Sequence, residues 1–112
     1  MDACVIAERE GRALGLLAVN RSAWNRRAIV AHLYVDRAAR KGGIGTAFIE
    51  EARAIAEAWG ARSLWVETQN VNPAGIDFYR RRGFTFCGAD ISLYDPNLAG
   101  DEVAVFFELR LE

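Results

Sequence analysis

A glycine-rich turn between an apolar run and a long amphipathic segment limits the folds open to this chain. Residues 31–35 have the length and hydrophobicity of a strand, and residues 40–46 read Arg-Lys-Gly-Gly-Ile-Gly-Thr. From Ile44 onward, apolar side chains recur at steps of three and four residues, which predicts a helix that ends at Gly60. The predicted apolar face comprises Ile44, Ala47, Phe48, Ala52, Ile55, Ala56 and Trp59. A strand that leads through a tight turn into such a helix predicts an α/β domain.

The same turn has the chemistry of an anion site. Glycines leave backbone N–H groups accessible at a helix start, where the helix dipole favours negative charge. Arg40 and Lys41 add two positive charges. The pattern therefore indicates a phosphate or pyrophosphate ligand, while a plain turn that uses glycine only for its positive φ is the alternative. The dinucleotide fingerprint lacks its third glycine here, and no Gly-Lys-Ser/Thr is present.

The composition excludes several classes of protein. A chain of 112 residues with 52% hydrophobic residues predicts one ordered domain, 1–112. Its net charge of −1 gives no basic field for nucleic acid, and no segment has the length of a membrane span or the pattern of a signal peptide. Cys4 and Cys87 are far apart, and His32 is the single histidine, so no metal site is expected. The cysteines are predicted to be reduced, buried or half-buried thiols of a cytoplasmic protein.

The remaining patterns predict the order β-β-β-α-β-α-β-β around a mixed sheet. Apolar runs at 4–7, 14–19 and 28–35 indicate an antiparallel meander, and 64–68 form the strand after the first helix. Asn72 and Pro73 start the second helix. Strand is predicted at 84–86 and 91–94, a loop at 95–100, and a half-buried, alternating strand at 103–111. Exposed edges of the first and last strands would favour pairing, so a homodimer is one expectation.

This order and this turn resemble the GCN5-related N-acetyltransferase (GNAT) superfamily. The family's pyrophosphate motif, Gln/Arg-x-x-Gly-x-Gly/Ala, is matched by residues 40–45, and its later signature by Asn72, Phe78-Tyr79 and Gly83-Phe84. The part from 67 to 107 is similar to the streptothricin acetyltransferase branch. The resemblance implies the GNAT acyl-CoA N-acyltransferase fold without the strand and helices that usually precede the meander and often wall the acceptor site. A partner chain, an open acceptor cleft or a fragment would each account for that difference.

The resemblance implies acetyl-CoA as co-substrate and no metal. Backbone groups of the strand would pair with pantetheine and polarise the thioester, the turn would hold the pyrophosphate, and Asn72 would bond pantetheine. The implied cofactor-binding residues are Leu33, Tyr34, Val35, Arg40, Lys41, Gly42, Gly43, Ile44, Gly45, Thr46, Asn72, Phe78 and Tyr79. Plain alternatives exist, because Leu33 and Val35 also suit a core, Arg40 a surface ion pair, and Asn72 a helix cap alone.

The resemblance also implies roles in catalysis. Tyr79 would be the general acid for the leaving thiolate, against the alternative of a helix tyrosine that only packs. For the general base, His32 is one candidate, Glu67 is its rival and Asp36 is third. The run 80–82, three arginines, would meet the 3′-phosphate of CoA or would only complement the helix dipole.

The implied function is transfer of an acetyl group from acetyl-CoA to a primary amine of a small molecule, with antibiotics of the streptothricin type as one acceptor class. No nucleic-acid or membrane partner is expected. The alternative is a non-catalytic acyl-CoA-binding or regulatory module, or a subunit that needs a partner chain to complete the acceptor site.

Overall fold

The computed structural model describes residues 2–112, which form six strands and three α-helices. In chain order these are β1 (Ala3–Arg9), β2 (Arg12–Ser22), β3 (Arg27–Val35), α1 (Ile44–Ala58), β4 (Ser63–Gln69), α2 (Pro73–Arg81), β5 (Thr85–Asp90), α3 (Pro96–Ala99) and β6 (Ala104–Arg110). The α/β class and the order of the eight predicted elements are confirmed, and α3 is an addition. Contacts divide the chain into two compact units, residues up to 64 with 111–112, and residues 65–110.

The first unit contains the predicted antiparallel meander β1-β2-β3. Its strands are longer than predicted, because pairing continues into polar residues as far as Arg9 opposite Arg12 and Ser22 opposite Arg27. The β1–β2 turn has two left-handed residues, Glu10 with φ 52° and Gly11 with φ 76°. Two adjacent residues with positive φ match the right-handed twist of a hairpin, so the strands can run close to the turn.

Helix α1 packs on this meander and contributes four buried residues to the core. Its buried residues are Phe48, Ile49, Ala52 and Ala56, and they face a strand whose central residues 17–19 are fully buried. Ala47, predicted on the apolar face, is exposed, whereas Ile49 is 1% exposed. The buried stripe is thus rotated toward Ile49, because the position of the sheet and not the hydrophobicity of the helix decides which edge of a wide apolar stripe is covered.

The second unit has the strand order β4-β6-β5, with β5 and β6 antiparallel. The last strand therefore lies between two others, and the expectation that it forms an exposed edge is wrong. Ala104 and Phe107 are its buried residues, and because they are three positions apart they lie on opposite faces, not in the predicted alternation. Aromatic pairs fill this unit: Trp65 with Phe106, Phe86 with Phe107, and Tyr79 with Phe84.

The segment between β5 and β6 differs most from the predictions. Residues 91–94 are not a strand, since the Asp90 carboxylate accepts hydrogen bonds from the Ser92 N–H and hydroxyl and turns the chain there. Ile91, which suggested a strand, is 84% exposed. The predicted loop at 95–100 contains α3, whose first turn is capped by the Asp95 side chain.

The prediction of buried or half-buried cysteines is also wrong. Cys4 and Cys87 are both exposed and form no disulfide. Cys4 lies on the open face of β1, which also exposes Ile6 and Glu8. Cys87 is the extra residue of a β-bulge, since Phe86 lies opposite Phe107 and Gly88 opposite Phe106.

Within residues 2–112, no helix combines the length and apolar character needed to cross a membrane.

Replacement of Gly15 tests the contact between β2 and α1. A Cβ at Gly15 would lie 2.8 Å from the Tyr34 carbonyl oxygen and 2.9 Å from Phe48 Cε2. Because a backbone oxygen and a buried ring cannot both retreat, Gly15→Ala should lower the free energy of unfolding by about 1–3 kcal/mol, measured by urea denaturation. The control is Gly88→Ala, where the added Cβ would lie 3.6 Å from Phe106 and the effect should stay within about 0.5 kcal/mol. Equal effects at both glycines would contradict the steric explanation.

Candidate functional site

The turn before α1 presents a helix N-terminus that is open at the backbone. Gly43 is the N-cap with φ 86°, and within the described chain no side chain caps the helix there. The first helical bond runs from the Ala47 N–H to the Gly43 oxygen, 3.0 Å. The N–H groups of Ile44 and Gly45 therefore precede the first intrahelical bond and point out of the helix start. This is the geometry that binds phosphate groups.

Two residues of the turn have left-handed backbone, Lys41 with φ 71° and Gly43 with φ 86°. For Lys41 this conformation costs roughly 1–2 kcal/mol. A Cβ at Gly42 would lie 3.2 Å from the Ala39 oxygen, whereas one at Gly43 would meet nothing within 4 Å. Glycine at 43 is thus required by its φ and not by crowding, and the space beside it is open.

Arg40 ties the turn to the end of β3. Its Nε donates to the Val35 carbonyl oxygen, 3.1 Å, and it is outside the ion pairs found in residues 2–112. The surface ion pair considered as an alternative is therefore not present. Nε uses one of the five donors of a guanidinium, so the two terminal nitrogens can still meet an anion.

Strand β3 carries the other predicted residues of this unit. Ala18 pairs with His32 and Val19 with Val30, so Ala31 is an extra residue and β3 is bulged immediately before His32. Beyond the bulge His32 and Tyr34 are exposed, while Leu33 and Val35 are half-buried on the opposite face. The third candidate base, Asp36, pairs with Arg12 Nη2 at 3.3 Å.

In the second unit, Asn72 caps α2 as predicted and makes a further bond that the sequence did not identify. Its Oδ1 accepts from the Gly75 N–H at 3.0 Å, and its Nδ2 donates to Thr68 Oγ1 at 3.2 Å. A Cβ at Gly75 would lie 2.6 Å from Asn72 Nδ2, so a glycine is needed for this side chain to cover the helix start. The capping role is confirmed, and a bond to pantetheine stays a prediction.

Tyr79 lies in an aromatic cluster of the second unit. Its ring meets Phe78 and Phe84 edge-on, with centroids 5.3 and 5.5 Å away. Burial raises the pKa of the Tyr79 phenol above its ordinary value of 10.0. A raised pKa keeps the phenol protonated at neutral pH, which is the state a general acid needs.

The three arginines after Tyr79 have partners within the second unit. Arg80 lies 5.9 Å from the Phe107 ring, and Arg81 Nε pairs with Asp77 at 2.8 Å. The Arg82 guanidinium lies 3.7 Å from the Phe78 ring and donates to the Phe78 oxygen. These contacts explain the arginines without a ligand, and the 3′-phosphate role stays a prediction.

Glu67 has a partner that the sequence did not identify. The Tyr94 hydroxyl donates to Glu67 Oε2 at 2.6 Å, and Gln69 Nε2 donates to the Tyr94 oxygen at 3.4 Å. Burial and, next, the hydrogen bond to Glu67 raise the pKa of Tyr94. Tyr94 was missed because it is 27 residues from Glu67 in the sequence, in a segment predicted to be strand.

Within residues 2–112, no group of three or more His, Cys, Asp or Glu side chains is arranged to hold a metal ion.

Comparison with known proteins finds a matching family model and similar curated proteins. Residues 2–84 match the model of the acetyltransferase (GNAT) family. A streptothricin acetyltransferase from Streptomyces lavendulae is 38% identical over 100 residues, which are 89% of this chain and 53% of that protein. The chain spans about half the length of the curated relatives it matches, including a streptothricin acetyltransferase A from Bacillus subtilis strain 168.

Solved structures agree with the sequence comparison. The crystal structure of nourseothricin acetyltransferase has a TM-score of 0.87 and 38% identity, covering 92% of this chain and 61% of that one. A Bacillus anthracis structure in complex with acetyl coenzyme A also has a TM-score of 0.87, with 30% identity over 97% of this chain and 62% of that one. With the motif turn at a helix start and the capped signature helix, these matches establish that the chain belongs to the acetyltransferase (GNAT) family.

Proposed function

We propose that this chain is an N-acetyltransferase that moves the acetyl group of acetyl-CoA to a primary amine of a small molecule, with antibiotics of the streptothricin type as the acceptor class. The observation that carries the proposal is the turn at 40–46, with its open N-terminal N–H groups and left-handed Gly43. Two relatives named streptothricin acetyltransferase and a neighbour solved with acetyl coenzyme A support the choice of ligand and acceptor.

Binding of acetyl-CoA would depend on charge and backbone. The N–H groups at the start of α1, with Arg40 and Lys41, would hold the pyrophosphate, since each helix-terminus interaction contributes only about 0.3–1 kcal/mol and several must act together. Backbone groups of 33–35 would pair with pantetheine amides. Asn72 would contribute its second amide hydrogen, because one Nδ2 donor is committed to Thr68, and Phe78 would contribute apolar contact.

The transfer itself forms one N–C bond and breaks one C–S bond. An unprotonated amine attacks the thioester carbonyl carbon, and an N–H of the 33–35 backbone would stabilise the charge that develops on its oxygen. Tyr79 would give its phenolic proton to the departing thiolate sulfur. The proton released by the amine passes to a base, so that protons balance over the cycle.

His32 and Glu67 are the two proposed bases. His32 is exposed beside the β3 bulge. The Glu67 carboxylate is held through one oxygen by Tyr94, which leaves Oε1 available for an ammonium or its water. Single substitutions His32→Gln and Glu67→Gln separate them, because loss of the true base lowers kcat without changing affinity for acetyl-CoA.

A non-catalytic acyl-CoA-binding module, and a subunit completed by a partner chain, are the alternatives. A transfer assay over streptothricin, aminoglycoside, polyamine and peptide amines decides among them, read with light scattering for the oligomer. Tight acetyl-CoA binding without acetylation of any amine would reject the enzyme. A cytoplasmic location and a homodimer stay predictions.

The pyrophosphate role of the turn is tested by Arg40→Gln. Losing a charge-assisted hydrogen bond costs about 1.5–3 kcal/mol, so the Kd for acetyl-CoA should rise about tenfold or more, as measured by calorimetry. Arg37→Gln makes the same charge change in the short 3₁₀ turn before the motif and should leave Kd nearly unchanged. Equal loss in both variants would indicate long-range attraction instead of a phosphate contact.

The acid role of Tyr79 is tested by Tyr79→Phe. Turnover should fall about 10²–10⁴-fold while the Kd for acetyl-CoA stays unchanged, because the phenol acts on the leaving group. Since burial raises the pKa of Tyr79, the protonated form persists above pH 10.0 and wild-type kcat should decline only at still higher pH. Full turnover by the phenylalanine variant would leave Tyr79 with a packing role alone.

The role of Tyr94 in holding Glu67 is tested by Tyr94→Phe. Without the 2.6 Å bond the carboxylate can rotate, so the KM for the amine should rise several-fold while the affinity for acetyl-CoA is retained. Ser92→Ala removes a hydroxyl contact from the same segment without touching Glu67 and should leave KM as in the wild type. A matching change in both variants would point to general loosening of residues 91–94.

A further inference from the structure

A cavity of about 270 Å³ lies in the first unit, where the end of the β2–β3 hairpin faces the C-terminus of α1. We call it the hairpin cavity. Its lining residues include Arg21, Arg26 and Arg27 together with Trp59 and Gly60. None of these residues belongs to the acetyltransferase motifs. Three arginines thus line one cavity of a chain whose net charge is −1.

The helix end explains part of this arrangement. Arg21 Nη2 donates to the Trp59 oxygen at 3.4 Å, and Arg26 Nη2 donates to the Gly60 oxygen at 3.0 Å. Basic side chains commonly satisfy the last carbonyl groups of a helix in this way. Arg21 and Arg26 each keep further N–H donors that these contacts do not use. Arg27 makes neither contact.

Capping of the α1 C-terminus does not explain the position of Arg27. Its Nε is buried and lacks a hydrogen-bond partner among the described residues. A buried, unpaired donor on a permanently charged group is unfavourable, because the group has lost its hydration without gaining an acceptor. An acceptor placed in the hairpin cavity would remove this deficit.

The nearby carboxylates do not supply that acceptor. Glu112 is bound through both oxygens to Arg26, each at 3.2 Å. Asp2 accepts from the Arg21 backbone N–H at 2.6 Å, so its carboxylate is committed to the backbone. Three guanidinium charges therefore meet one carboxylate that pairs with their side chains.

We propose that the hairpin cavity binds a small oxyanion, such as a phosphate monoester or a dicarboxylate. The planar fork of arginine matches the oxygens of both groups. The volume selects the size, since sites for drug-sized ligands occupy about 300–1,000 Å³ and the cavity lies just below that range. Trp59 in the lining suits a ligand with a short apolar part. This site is independent of the proposed acetyl transfer.

The test is a titration of the whole chain with inorganic phosphate and, separately, with succinate, each at constant ionic strength set by KCl. Backbone amide shifts by NMR report the position, and we expect saturable shifts at Gly60 and Ala61 with a Kd below about 1 mM. The anion with the lower Kd shows whether the cavity prefers a phosphate or a dicarboxylate. Shifts confined to Gly43 and Gly45 would place the anion at the turn before α1 and overturn the inference.

Two variants and a control complete the test. Arg27→Gln should raise the Kd for the anion at least tenfold. Arg21→Gln, at an exposed position, should raise it several-fold. The second variant replaces the first if Arg27→Gln fails to fold. Arg53→Gln removes the same charge from an arginine that pairs with Glu57 on α1 and should bind as the wild type does. Wild-type affinity in both cavity variants, or shifts that follow KCl alone, would overturn the inference.

Discussion

The contact between Gly15 and Phe48 is the constraint on which the first unit depends. Phe48 enters the core one turn after the start of α1, and it fits because Gly15 has no side chain: a Cβ there would lie 2.9 Å from the ring. The same glycine pairs with Val35, the last residue of β3. One position on β2 therefore fixes both ends of the segment that contains the turn. Tight packing at this point allows the turn itself to be open and exposed.

The turn before α1 has one residue with a strained backbone and open space beside another, and both features favour a bound ligand. Lys41 has a conformation that a lysine rarely takes, while Gly43 has the space beside it open. The Arg40 bond to the Val35 oxygen holds the turn from the strand side. A helix start left without a side-chain cap is suited to accept its cap from outside the chain.

The sequence predicted elements well where local chemistry decides them. Asn72 before Pro73, and Gly60 after an amphipathic run, act through neighbouring residues, and both were located correctly. The strand predicted at 91–94 was wrong for a local reason: its composition is apolar and strand-like, but the Asp90 side chain accepts from the Ser92 N–H and turns the backbone. The other failure has a distant cause. Ile49 replaced Ala47 in the core because the sheet, which periodicity does not describe, selects the covered edge of the helix.

The candidate site shows the same division. Its motif residues were proposed from the resemblance to a family, whereas Tyr94 was not proposed, because its bond to Glu67 joins residues far apart in sequence. The two tyrosines of the second unit then differ in what their protons can do. Burial raises the pKa of Tyr79, so the phenol keeps its proton at neutral pH. The proton of Tyr94 is shared with a carboxylate. Tyr79 is therefore suited to donate a proton, and Tyr94 to hold another group in position.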